Sequence, residues 1–149
     1  MAQPKLDEQH LIVRIGNRWY GIPLNYVDEV LNLVAVDDLP GAPDYVLGLI
    51  SLRQRILPVL DLRVYFGHGS GELTLNTPMI ALRGEAIDNA VVVVDEVDDV
   101  KVTGDSIQHQ SDTAYIRGAV QLGNRLVLIL NIEEITSGVV NNPMESPDA

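Results

Sequence analysis

The chain has 149 residues, 46% of them hydrophobic, and a formal net charge of −11 from 21 acids against 10 bases. That length suits one ordinary domain with a sizeable core, and that hydrophobic share excludes a disordered chain. The acidity excludes an electrostatic nucleic-acid binder, which needs Lys and Arg to neutralise phosphates, and the absence of cysteine excludes a disulfide framework, a thiolate nucleophile and a cysteine-held metal. Val, Ile and Leu dominate while aromatics are only 5%, and 12 glycines and 8 prolines punctuate the chain, a pattern of short strands joined by turns. The first residues, Met1 to Glu8, are polar and carry no secretory apolar region. No apolar run approaches the roughly 20 residues of a membrane helix. A soluble cytoplasmic protein with no membrane insertion is expected.

In chain order, residues 1–9 read as a flexible N-terminus. Leu11 to Ile15 and Trp19 to Leu24 form a predicted hairpin turned at Gly16-Asn17-Arg18. Asn25 can cap a short helical turn carrying Val27, Val30 and Leu31, and the same residues can form a strand. Asp37 to Asp44 contains Pro40, Gly41 and Pro43 and reads as a loop. Tyr45 to Arg53 and Arg55 to Leu62 form a second hairpin meeting at Gln54, followed by one helical turn from Arg63 to Phe66. Gly67-His68-Gly69-Ser70-Gly71 is flexible by composition and is the expected boundary between two halves. Strands follow at Met79 to Leu82 and Ala90 to Val94. Ile107 to Asp112 is polar and irregular. Tyr115 to Leu122 and Arg125 to Ile132 form a last hairpin at Gly123-Asn124, Glu133 to Ile135 can be helical, and the tail from Ser137 is polar.

The halves repeat. Val27-Asp28-Glu29-Val30 recurs as Val94-Asp95-Glu96-Val97, and Gly48, Leu52, Arg55 and Leu60 recur as Gly118, Leu122, Arg125 and Leu130. Two matches in the same order and strand context indicate duplication of a β unit. A unit of that size is too small to be stable alone, so the copies must share a core. Regularly spaced short strands indicate small barrels rather than a parallel sheet, because no long helical crossover is visible.

A search for chemistry finds little. His10, His68 and His109 each stand alone in polar or glycine-rich segments and read as surface histidines, not as spaced metal ligands. The glycine segment lacks the Lys-Ser/Thr ending of a phosphate loop, and Ser70 lacks the glycines of a nucleophile elbow. Asp95, Glu96, Asp98 and Asp99 do not have calcium-loop spacing. They are interleaved with Val97 and Val100, which alternate as core-facing residues do, so the acids read as a solvated face. Trp19-Tyr20 reads as a hairpin packing pair or as part of a binding surface, with the core reading favoured. Arg53 and Arg55 bracket the second hairpin tip and, at alternate positions, would share one face, either as a contact for a partner's carboxylates or as a solubilising turn.

Val-Asp-Glu-Val, then Leu39-Pro40-Gly41-Ala42-Pro43-Asp44-Tyr45-Val46-Leu47-Gly48-Leu49-Ile50-Ser51-Leu52-Arg53, then Ile56-Leu57-Pro58-Val59-Leu60-Asp61-Leu62-Arg63, resembles the CheW domain family from about Gln9 to Ile135. The resemblance implies an all-β fold of two small SH3-like β-barrel subdomains related by internal duplication, packed around a shared core, with short helical turns. The domain is expected over residues 10–136 as two interleaved β subdomains with an approximate division at 67–77, followed by a flexible tail over 137–149. The implied activity is that of a non-enzymatic adaptor without cofactor or metal. Its partners would be the regulatory domain of a CheA-type histidine kinase and the cytoplasmic tips of chemoreceptors. The resemblance assigns partner binding to Val27, Glu29 and Arg53, and sets Gly48 on the glycine before the hairpin; Arg55 joins them on the reading above. Val27, Leu49, Ile50, Val91 and Val93 are candidates for the lining of a groove between the barrels, although plain core is the favoured role for each. One departure stands out: Gln54 occupies the position of the family's turn glycine, where φ > 0 strains any other residue, so the tip is expected to differ in shape. Alternative functions are a related adaptor of another chemosensory pathway, such as pilus motility or development, an inhibitory scaffold, and a small ligand-binding barrel or enzyme.

Overall fold

The computed structural model describes residues 8–32, 35–69, 73–85, 87–102, 107–108 and 114–140. Gln9–Ile15 (β1) and Arg18–Pro23 (β2) form the first hairpin, with Gly16 at φ 66° at the turn. A 3-10 turn at Leu24–Tyr26 carries the chain to Val27–Leu31 (β3), so Val27, Val30 and Leu31 lie on a strand, not a helix. Val46–Leu52 (β4) and Arg55–Asp61 (β5) form the second hairpin, and Leu62–Tyr65 (α1) is a single turn of helix. The second copy supplies Met79–Leu82 (β6), Ala90–Val93 (β7), Glu96–Val102 (β8), Ile107–Gln108 (β9), Ile116–Leu122 (β10) and Arg125–Leu130 (β11), then Ile132–Val140 (α2).

These strands make two sheets, ordered β8-β1-β2-β11-β10-β9 and β3-β6-β7-β5-β4. Position for position the two orders match under the duplication: β8 stands where β3 does, β1 where β6 does, β11 where β5 does. Each repeat gives its first hairpin to one barrel and its remaining strands to the other. The fold is all-β, with two SH3-like barrels built by exchange between the copies.

This exchange corrects one expectation and gives detail to another. Parallel pairing does occur, between β2 and β11 and between β5 and β7. It needs no helical crossover because the paired strands come from different repeats. The segment from Gly67 lies between the repeats in sequence, yet β5 before it and β6 after it belong to the same sheet. The chain changes barrel instead at the 3-10 turn and between β7 and β8. Ser70 and Gly71 lie outside the described residues, as do residues 1–7, His109 and residues 141–149. Residues 137–140, read from sequence as tail, continue α2.

The barrels are joined by apolar burial. The largest buried cluster draws Leu11, Val13, Ile15 and Ile22 from one sheet, Leu60, Ile80, Leu82 and Val92 from the other, and Ile132 and Ile135 from α2. Smaller clusters fill each barrel: Ile12, Val120, Val127 and Ile129 in one, Ile50, Leu57, Val59, Met79, Val91 and Val93 in the other. Each fully buried side chain of this kind contributes roughly 1.5–3 kcal/mol, so the cluster between the barrels is the larger stabilising mass. Aromatic rings line the same junction. Tyr20 stacks on Phe66 at 5.2 Å, and Tyr65 meets Tyr45 at 5.0 Å and Tyr115 at 5.5 Å. Tyr20 is core, as expected of the hairpin pair.

A buried charge pair fixes the junction. Asp61 caps α1 by accepting from Arg63 N, and its carboxylate takes two hydrogen bonds at 2.8 Å from the Arg63 guanidinium. Both side chains are nearly inaccessible, at 1% and 6%. Arg63 also approaches Asp95 at 3.7 Å, and Asp95 accepts from Gly16 N at 2.7 Å. The second Val-Asp-Glu-Val motif thus ties the first hairpin to α1. Of the acids read as a solvated face, three are exposed and make surface ion pairs: Glu96 with Arg14, Asp98 with Arg125, Asp99 with Lys101. Val97 packs against the core, whereas Val100, opposite Leu11 on the edge strand β8, is exposed.

Candidate functional site

The β4–β5 hairpin has its last paired residues at Leu52 and Arg55, so Arg53 and Gln54 form a two-residue turn. Their φ angles are 50° and 68°, the left-handed pair that a tight primed turn requires. The tip therefore keeps the tight shape that glycine would favour, contrary to the expectation of a different one, and two ordinary residues carry the strain. Sequence parity also fails here. A two-residue turn separates Arg53 from Arg55, so the alternation rule of a continuous strand does not apply and the two guanidiniums have different surroundings.

Arg53 reaches across the open side of the barrel to β3. Its Nη1 lies 2.6 Å from Glu29 Oε2 and 3.9 Å from Asp28 Oδ2. The closer approach lacks hydrogen-bond angles and is a charge contact. Arg83, just after β6, lies 3.6 Å from the other Asp28 oxygen. Arg53 and Arg83 are both about two-thirds exposed, so this cluster is a surface feature that contributes little to stability. Val27 sits half-buried at the head of the same strand, opposite Leu82. Val27, Glu29 and Arg53 are thus brought together by barrel closure. Sequence reading missed Arg83. The signal was its place directly after β6, matching Gly16 after β1, which meets Asp95 as Arg83 meets Asp28.

Gly48 has another task. It is buried at φ 152°, and a Cβ there would collide with the Asp37 carbonyl. That close approach lets Asp37 pair with Leu49 through two 2.8 Å backbone hydrogen bonds on the outer edge of β4. In the second copy Gly118 pairs with Gln108 of β9, on the same outer edge. Ile50, Val91 and Val93 are buried inside their own barrel and line no groove, because their side chains face the barrel interior. Leu49 is half-buried beside Asp37. The junction between the barrels is filled by apolar side chains and rings.

Two histidines differ from each other. His68 is exposed, with its ring over Gly16. His10 is 1% exposed, not at the surface. Burial lowers its pKa, opposed by Glu8 and reinforced by Arg117. Tyr26 donates to Glu133 at 2.7 Å, and that bond raises the phenol's pKa. Among the described residues no three metal-ligating side chains gather, and no helix is long and apolar enough to cross a membrane.

Two small barrels fused through one core, with a charged hairpin rim, define a double-barrel binding module. The chain matches the CheW-like domain over residues 9–139. It is 31% identical over 145 residues to the chemotaxis protein CheW of Klebsiella aerogenes, covering 92% of this chain and 86% of that one. It is 30% identical over 97 residues to protein FrzA of Myxococcus xanthus, covering 64% of this chain and 59% of that one. The crystal structure of the scaffolding protein TtCheW from Thermoanaerobacter tengcongensis matches with a TM-score of 0.75 at 23% identity, covering 89% of this chain and 87% of that chain. The chain belongs to the CheW family of scaffold and adaptor proteins.

Proposed function

We propose that this protein is a non-catalytic cytoplasmic adaptor that couples chemoreceptors to a CheA-type histidine kinase. The observation that carries this reading is the convergence of Glu29, Asp28 and Arg53, from β3 and the β4–β5 tip, into one exposed charged rim beside half-buried Val27. A rim of this kind gives orientation and specificity to a partner more than raw affinity. Membership of the CheW family supports the rest. Arg55, on the same hairpin, belongs to this surface. Gly48 supports it from below by holding the Asp37 segment against β4.

The test is titration calorimetry of the full chain against the regulatory domain of each CheA-type kinase of its own cell. Saturable binding at micromolar affinity or tighter to one of them is expected and would identify the pathway. Arg53→Glu should weaken that binding about tenfold or more, because it sets a third acid beside Asp28 and Glu29, while the melting temperature stays within a degree or two. Absence of binding to every kinase would remove the kinase half of the proposal.

A further inference from the structure

The duplication supplies an internal comparison at the two hairpin tips. Arg55 and Arg125 are equivalent: each is the first residue of its return strand, paired with Leu52 and with Leu122 respectively. Arg125 is fully used within the molecule. Its guanidinium lies 3.7 Å from the centroid of the Trp19 ring, and its Nη1 makes a 2.8 Å bond to Asp98. Arg55 is exposed and has neither an ion pair nor a ring contact among the described residues. The repeat explains why. The strand that supplies Trp19 in one barrel, β2, has as its counterpart in the other β7, Ala90-Val91-Val92-Val93, which carries no ring. The Val-Asp-Glu-Val motif that leads to Asp98 in the second copy leads to Leu31 in the first. Both groups that satisfy Arg125 are missing at Arg55.

The neighbouring arginine does not compensate. Arg53 is already neutralised by Glu29 and Asp28. Arg55 is therefore the uncompensated cation of this rim, in a chain of net charge −11 where an added positive charge does not serve solubility.

Resting on the adaptor reading above, we infer that Arg55 determines the specificity of the β4–β5 tip, and that the kinase regulatory domain closes an aromatic ring and a carboxylate on it. The complex then makes between molecules the contact that Trp19, Asp98 and Arg125 make within this one. Guanidinium suits this because its plane stacks on a ring while its edge donates to a carboxylate, which an ammonium cannot do at once. The occupant is a sheet surface rather than a helical receptor tip. This chain's other barrel shows the required pair presented by strands, with the ring on β2 and the acid on β8 flanking β1.

The experiment compares the full-length chain with Arg55→Ala, Arg55→Lys and Arg125→Ala. Each is titrated against the kinase regulatory domain and, separately, against a receptor cytoplasmic fragment. Arg55→Ala should raise Kd for the kinase domain about tenfold without moving the melting temperature, and Arg55→Lys should restore only part of that loss. Arg125→Ala should lower the melting temperature and leave Kd within about twofold, since its contacts are internal. Unchanged kinase binding by Arg55→Ala overturns the inference, as does full rescue by lysine or a loss confined to the receptor fragment. A wild-type chain that binds no kinase domain overturns the adaptor reading and this inference together. Wild-type binding that survives Arg55→Ala overturns this inference alone.

Discussion

Arg53 and Gln54 hold left-handed backbone at a turn where the matching hairpin of the second copy has Gly123 at φ 63°. A residue with a Cβ costs roughly 1–2 kcal/mol in that conformation, part of which is offset by the smaller entropy it loses on folding. Gln54→Gly should therefore stabilise the protein by up to about 1 kcal/mol, read as a higher urea midpoint at unchanged slope. A lower midpoint would mean that the Gln54 side chain makes a stabilising contact. His10 shows a second local cost. Its folded-state pKa lies below the ordinary 6.5, chiefly because burial disfavours the charged ring. The unfolded chain then binds the extra proton more readily. Stability is fully present above pH 6.5 and falls as pH drops through the folded-state value. Thermal melts from pH 7.5 to 5 should show this decline, and His10→Gln should flatten it. An undiminished decline in His10→Gln would assign the effect to other groups.

At the scale of elements, Asp61 and Arg63 hold β5, α1 and the junction in one arrangement. Removing one member of a buried pair leaves the other charge without its partner, at a cost of about 3–5 kcal/mol. Asp61→Ala also removes the cap of α1. Asp95, at 3.7 Å, remains to relieve Arg63 in part, so a loss of about 3 kcal/mol in denaturant unfolding is expected. A loss under about 1 kcal/mol would show that Asp95 suffices. The sequence did present Asp61-Leu62-Arg63, but only as letters of a motif. The two residues are a short helical step apart, and nothing local says that both are buried. That depends on β7 and β8, which arrive from the other repeat.

At the scale of the molecule, each barrel needs strands from both copies. A fragment ending at Gly69 has β1–β5 but lacks β6, β7 and β11, which lie between or beside its strands. Each half expressed alone should give no cooperative thermal transition, because its apolar faces have no cover. The halves co-expressed should assemble into a folded complex with the circular dichroism of the whole chain. A half that folds cooperatively by itself would show that exchange between repeats is not obligatory.

What the sequence determined by itself was local or periodic. Alternating Val, Ile and Leu marked most of the strands, Gly16 and Gly123 marked turns, and the repeated Val-Asp-Glu-Val and Gly-Leu-Arg-Leu spacings revealed the duplication. The rim residues Val27, Glu29 and Arg53 were legible only through a long family motif, and Arg55 through its place at a hairpin. Tertiary structure alone decided which repeat completes which barrel, that Ile50, Val91 and Val93 face an interior, that His10 is covered, and that among the described residues Arg125 has an ion pair and a ring while Arg55 has neither. Those outcomes depend on contacts between residues far apart in the chain. Periodicity says that a strand has an inside face, but the partner that covers that face is chosen by the burial of the whole molecule.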